Sequence, residues 1–264
     1  MKPFKRFAPY YLWGLWGLAF ALNLCPWAAA EEPTAPVVVE LLAIGPGARE
    51  NNRECGATGL LVNSAGYILT NAHVIDEARG CLAQGGGSKV LAKFSARGPN
   101  AARAVSCDLV GVDKVHDLAL IKTERPSGVV LSADQPHVLI LDSSEVAPGA
   151  RVLVTGYPLF AWEPVTQSGK LIGRASARLS DSSAEPSDLL VLDVPLRPGN
   201  SGSPVYLTGT ARVVGIIEGR EPRNPSHTIA VPIRYAVELL NRYAVEWHGA
   251  AKGIQARELR ANTP

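Results

Sequence analysis

The chain has 264 residues, of which 47% are hydrophobic and 19% charged, with a formal net charge of +2. That balance belongs to a globular protein with core enough for one large or two small domains. The surplus of positive charge sits in residues 1–30, which hold three basic and no acidic residues; residues 31–264 carry 23 basic and 24 acidic, net −1. The body of the chain therefore offers no basic patterning for nucleic acid or an anionic membrane surface as a partner.

Lys2, Lys5 and Arg6 precede an apolar run from Tyr10 to Cys25, and Ala28-Ala29-Ala30 follows as a small-residue cleavage site. This is the three-part layout of a secretory signal peptide over residues 1–30, and it predicts an exported protein, periplasmic or secreted. The alternative is a retained membrane anchor, but a run of 16 residues falls short of the roughly 20 that span a bilayer. Bulky Leu24 ahead of Cys25 argues against lipid attachment there. Removal of the signal leaves Cys55, Cys81 and Cys107 in a compartment that permits disulfides. Three cysteines allow one bridge and one free thiol; the pair stays open. No CxxC occurs and no His stands at finger spacing, so no zinc site is expected.

From Val37 onward, thirteen short apolar runs recur between turn signals: VVVELLAI, TGLLV, YILTNAHVI, KVLAKF, DLVGVD, LALIKT, HVLILD, RVLVTGY, KLIGRA, LLVLDV, PVYL, RVVGIIEG and TIAVPI. Each is rich in Val, Ile and Leu and bounded by Gly, Pro, Asn, Asp or Ser, as strands are. The pattern predicts an all-β protein of two packed barrels or a large sandwich. Gly85-Gly86-Gly87 reads as a hairpin loop, since no Lys-Ser/Thr follows it to make a phosphate loop. Only PIRYAVELLNRYAVEW carries a helical stripe, running from Ile233 to Trp247, with Pro232 where a missing N–H costs little. Residues 248–264 are polar and read as a flexible tail.

Ser201 in RPGNSGSPV is flanked by glycines and is either a plain turn residue or a nucleophile. A nucleophilic Ser needs a base, the base needs a carboxylate, and the oxyanion needs N–H donors. His73, in YILTNAHVID, stands where a strand breaks after Tyr67–Leu69. Asp117, in VHDLALIKT, precedes the buried run LALI. His116 beside it competes as a base, but adjacent strand residues face opposite sides.

Taken together, GATGLLVNSAGYILTNAHVID, VGVDKVHDLALIK and RPGNSGSPVY with VVGIIEG resemble the trypsin-like serine peptidases of the chymotrypsin clan. The similarity is greatest to the bacterial HtrA (Do-like) branch. The order His, Asp, Ser and the intervals of 44 and 84 residues carry the resemblance, which extends over roughly Val37 to Leu240. It implies two six-stranded antiparallel β-barrels, residues 37–130 and 135–247, the second with a short C-terminal helix, and an active site in the cleft between them. It further implies Ser201 as nucleophile, His73 as base, Asp117 as its orienting carboxylate, and the N–H groups of Gly199 and Ser201 as the oxyanion hole. Neither cofactor nor metal is implied. The partners implied are protein or peptide substrates, and oligomerisation is left open.

The departures are informative. Asn200 stands where many members have an Asp that pairs with a newly cut N-terminus, so activation by such a cut is not expected. Ser203 replaces a more usual Gly. Pro195 replaces the specificity Asp of trypsins, and by similarity Pro195, Leu196 and Ile216 line a primary pocket for small or aliphatic residues. Asp193, Arg197 and Glu218 read as solvated loop charge, and Trp162, in the WEPVTQSGK segment that matches a regulatory loop, as a packed anchor. The residues after the helix are few, so the PDZ domain of many HtrA proteins is not expected here. The reading is an exported serine endopeptidase; the alternative is a catalytically idle binding protein on the same fold.

Overall fold

In a computed structural model, the strand-like runs close into two barrels. The structure describes residues 38–44, 56–77, 89–94, 104–124, 139–140, 146–179, 185–210, 212–221 and 224–249. The signal segment, Cys55, Cys81, the triple-glycine loop and residues 250–264 lie outside these. The first barrel joins β1 (Val38–Ile44), β2 (Gly56–Leu61), β3 (Tyr67–Asn71), β4 (Lys89–Phe94), β5 (Ala104–Asp113) and β6 (Leu118–Thr123) in the closed order β1-β2-β3-β6-β5-β4. A short helix, α1, residues 72–77, follows β3.

The described residues of HVLILD form β7 (Leu139–Ile140), which stays outside the second barrel. That barrel consists of β8 (Arg151–Gly156), β9 (Val165–Ala177), β10 (Ser187–Asp193), β11 (Pro204–Leu207), β12 (Arg212–Glu221) and β13 (Asn224–Pro232). Its order is β11-β8-β9-β10-β13-β12, and the β11–β12 pairing closes it. All pairs within both barrels are antiparallel. Helix α2 (Ile233–Arg242) and β14 (His248–Gly249) complete the described chain, with β14 and β12 each pairing parallel to β7. Residues 165–170, taken from the sequence as part of a loop, are the first half of β9.

Side-chain alternation explains why the runs look apolar throughout rather than on every second residue. A strand residue points to one face and its neighbour to the other. Here both faces of several strands are buried. Leu61, Ile68, Ala119 and Ile121 fill the first barrel, and Leu190, Leu192, Val214 and Ile217 the second. Their neighbours Leu60, Leu69, Leu118, Leu120, Leu189, Val213 and Ile216 meet in a third cluster that joins the barrels. Helix α2 seals this seam with Ile233, Ala236, Leu239 and Leu240. Each such side chain contributes about 1.5–3 kcal/mol on leaving water.

The C-terminal helix is shorter than its stripe predicts. It ends at Arg242, and Ala244 adopts φ 55°. The Ala244 N–H donates to Asn241 O at 3.1 Å and the Val245 N–H to Leu240 O at 3.0 Å, the two-bond cap that satisfies the last helical carbonyls. Val245 then turns back into the seam beside Leu240. Apolar residues beyond Arg242 thus follow the helical period without being helical. Because a left-handed residue with a Cβ is strained, Ala244→Gly is expected to stabilise the fold by about 0.5–1 kcal/mol, read as a higher urea midpoint at unchanged m-value.

Candidate active site

β3 and β6 are antiparallel neighbours, and their register places Asn71 opposite Leu118. The residues just past one end and just before the other are therefore brought together: His73 in α1 and Asp117 at the end of the turn 114–117. Asp117 holds φ 52°, a conformation Asp tolerates better than most residues. Its carbonyl accepts from the Ala72 N–H and from Asn71 Nδ2, both at 3.1 Å. Its carboxylate accepts from the His73 N–H at 2.8 Å through Oδ1, and Oδ2 lies 2.6 Å from His73 Nδ1. With Nδ1–H committed to a buried carboxylate, the neutral imidazole presents Nε2 as its basic nitrogen. Burial disfavours the charged ring, but the hydrogen bond and charge of Asp117, with Glu77 and Glu218, outweigh it and raise His73 above its usual 6.5.

Ser201 stands on a loop that its glycines make possible. Gly199 has φ 96° and Gly202 φ 84°. A Cβ on Gly199 would overlap the Tyr157 carbonyl, and one on Gly202 the Thr58 carbonyl. The loop is tied to both barrels: the Thr58 N–H donates to Ser201 O at 2.9 Å, the Leu159 N–H to Pro198 O at 2.7 Å and the Gly202 N–H to Ile217 O at 3.0 Å. Thr58 Oγ1 donates to Gly199 O at 2.8 Å while accepting from the Tyr157 N–H at 3.0 Å. Asn200 is buried and donates from Nδ2 to Arg197 O at 3.2 Å. Among the described residues, the N–H groups of Gly199 and Ser201 have no acceptor. Such donors are available to an incoming anion.

Glu218 connects the two halves. Its carbonyl accepts from Ser201 Oγ at 3.3 Å. Ligating atoms of its carboxylate, of His73 and of Asp117 all lie within 4.8 Å of one another. These three side chains are the described group with metal-ligating spacing, but His73 Nδ1 and both Asp117 oxygens are already engaged with each other. Reading Glu218 as solvated loop charge is thus corrected. Its placement follows from a register shift in β12: Ile217 pairs with Ala230 and Gly219 with Ile229, which leaves Glu218 as the extra residue between them, the kind of irregularity that re-aims a side chain. Thr58 was missed because its contacts are to backbone far away in sequence.

The remaining candidates are dispersed. His116 lies away from the site, with Nδ1 2.7 Å from Asp113 Oδ2 and its ring stacked on Tyr235 at 3.7 Å; a turn rather than strand alternation separates it from Asp117. Asp193 and Arg197 are exposed. Pro195 is exposed with its carbonyl accepting from Gln167 Nε2, Leu196 is buried, and Ile216 has no exposed surface and packs in the seam. Trp162 does not anchor its loop by burial: it is 72% exposed, with Lys93 Nζ 5.1 Å from its ring centroid. Cys107 is a buried free thiol, pushed up to about 12 chiefly by burial, which makes it inert as a nucleophile.

The model of the trypsin-like peptidase domain matches residues 57–216. The chain belongs to the trypsin-like peptidase family. A probable periplasmic serine endoprotease, DegP-like, of Hahella chejuensis is 30% identical over 203 residues, which cover 75% of this chain and 38% of that protein. Its counterpart in Marinomonas sp. is 29% identical over 198 residues, 74% of this chain and 36% of that one. The chain thus spans less than two fifths of the length of these curated relatives. Among solved structures, Deg5 superposes with a TM-score of 0.58 at 23% identity, covering 78% of this chain and 87% of that one. The serine endoprotease from Yersinia pestis gives 0.53 at 23%, covering 79% and 63%. At this identity the two structures establish the fold of the peptidase domain.

Thr58→Val keeps the shape of the side chain but strands the Tyr157 N–H and one lone pair of Gly199 O. A loss of about 1–3 kcal/mol is expected, measured by denaturant unfolding, with faster proteolytic nicking of the 197–203 loop.

Proposed function

We propose that this chain is an exported serine endopeptidase whose acyl-enzyme chemistry is carried by Ser201, His73 and Asp117. The observation that carries the proposal is the His73–Asp117 pair, doubly hydrogen-bonded at 2.8 and 2.6 Å, converging on the glycine-shaped Ser201 loop at Glu218. In the mechanism, Ser201 Oγ releases Glu218 O and turns toward His73 Nε2. His73 takes its proton as Oγ attacks the scissile carbonyl, and Asp117 stabilises the imidazolium. The N–H groups of Gly199 and Ser201 receive the oxyanion. His73 then returns the proton to the leaving amine, and water repeats the sequence on the acyl-enzyme. Resting hydrogen bonds of this kind tighten with substrate.

The substrates are exposed or unfolded protein segments with small or aliphatic residues at the cleavage point. Pro195 is exposed and offers no charge to a basic side chain; the preference rests on the family resemblance that names Pro195, Leu196 and Ile216, of which Leu196 and Ile216 are buried in the resting structure. Export to the periplasm is supported by the signal-like residues 1–30 and by the names of the relatives. Among the described residues no helix is long and apolar enough to cross a membrane. The Ser201 loop is held by Thr58, Leu159 and the Asn200–Arg197 contact, so signal removal suffices for activity without a further cut. The resting bond of Ser201 Oγ to Glu218 O is what favours the second reading, an idle binding protein.

A fluorophosphonate probe and unfolded casein separate the two. Labelling and cleavage are expected from the mature protein and lost in Ser201→Ala; a folded protein that neither labels nor cleaves between pH 5 and 9 establishes the idle reading. Since the reaction needs neutral His73 and its pKa is raised, kcat/KM is expected to fall as pH drops through a midpoint above 6.5. A midpoint below that value contradicts the assignment of His73 as base.

A further inference from the structure

The carboxylate of Glu218 stands at the site without a part in the chemistry above. The residue lies on β12, after a run of apolar residues, at a shift of register between Ile217 and Gly219. Its main chain and side chain face different partners: the carbonyl receives the Ser201 hydroxyl at 3.3 Å, while the carboxylate comes within 4.8 Å of ligating atoms of both His73 and Asp117. We propose that Glu218 is a positioning residue of this site: its carboxylate is a second acid beside the His73–Asp117 pair that stabilises the protonated imidazole and sets the pH range in which His73 serves as base. The proposal rests on the assignment of His73 above.

The charges that act on His73 come from three elements. Asp117 comes from the turn before β6, Glu218 from β12, and Glu77 from α1, one helical turn beyond His73. All three are acidic. On β12, Arg220 does not offset them at this point: its guanidinium donates to Leu196 O at 3.2 Å. Glu77 is exposed whereas Glu218 is half-buried. Solvent and salt therefore weaken the first more than the second. Burial raises the Glu218 carboxyl, Asp117 adds to this, and His73 opposes it. Two carboxylates this close repel, and a protonated imidazole within reach of both relieves that repulsion. The gain is a more basic His73 at neutral pH. The cost is extra negative charge near the developing oxyanion, which protonation of Glu218 would relieve.

The test is a titration of the His73 imidazole by NMR in the mature protein, with the resonance assigned from a His73→Asn variant. Glu218→Gln is expected to lower the His73 midpoint, and to raise the ratio of kcat/KM at pH 5.5 to that at pH 8 by about threefold. Glu218→Asp, which keeps the charge, is expected to restore most of the wild-type midpoint. In 1 M salt the shift caused by Glu218→Gln should persist, while that of Glu77→Gln vanishes. An unchanged His73 midpoint in a Glu218→Gln protein with native thermal unfolding overturns the proposal. If that variant does not fold, Glu218→Thr is titrated instead, under the same criterion. The NMR midpoint needs no turnover. A chain that fails to label at Ser201 defeats the peptidase reading and leaves this titration to decide the Glu218 assignment by itself.

Discussion

Everything at the site depends on the apolar seam between the barrels. His73 and Asp117 belong to the first barrel, Ser201 and Glu218 to the second, and neither pair is of use without the other. Leu60, Leu69, Leu118 and Leu120 on one side and Leu189, Val213, Ile216 and Val231 on the other exclude water between them. The candidate side chains lie on or beside the very strands that carry these residues. β3 and β6 deliver His73 and Asp117, and β12 delivers Glu218. A well-packed seam tolerates little displacement, so the positions of the reactive groups are held by hydrophobic packing some distance from them.

Polar contacts then complete what packing begins. Thr58 is the clearest case, joining β2 of the first barrel to the Ser201 loop of the second through one N–H and one hydroxyl. Its hydroxyl is both donor and acceptor, so a single side chain satisfies two backbone groups that would otherwise be stranded. The positive φ angles of Gly199, Gly202 and Asp117 fall where the backbone must offer N–H groups or turn sharply; the glycines adopt them without strain, and Asp117 carries what strain there is.

A good part of this was legible in the sequence. The strand runs, the short C-terminal helix and the family follow from apolar periodicity, turn residues and three motifs in order. The reading failed where one pattern had two physical sources. The stripe through Val245 and Trp247 continues the helical period, but Val245 reaches the seam after a cap rather than as part of the helix. HVLILD has the composition of a barrel strand, yet the six-strand closure is complete without it and its described residues, Leu139 and Ile140, pair outside the barrel. Trp162 looked like an anchor because large aromatics are usually buried; here its loop stands away from the core.

By itself the sequence determined what is local or periodic: which segments become strands, where glycines permit a left-handed turn, and which His, Asp and Ser stand at the motifs. Tertiary structure alone decided what depends on contacts between distant segments. It brought Asp117 onto His73, because the β3–β6 register aligns Asn71 with Leu118. It made Thr58 a tie for a loop 141 residues away. It turned Glu218 from a surface charge into a neighbour of the His73–Asp117 pair, because β12 shifts register against β13 at that residue.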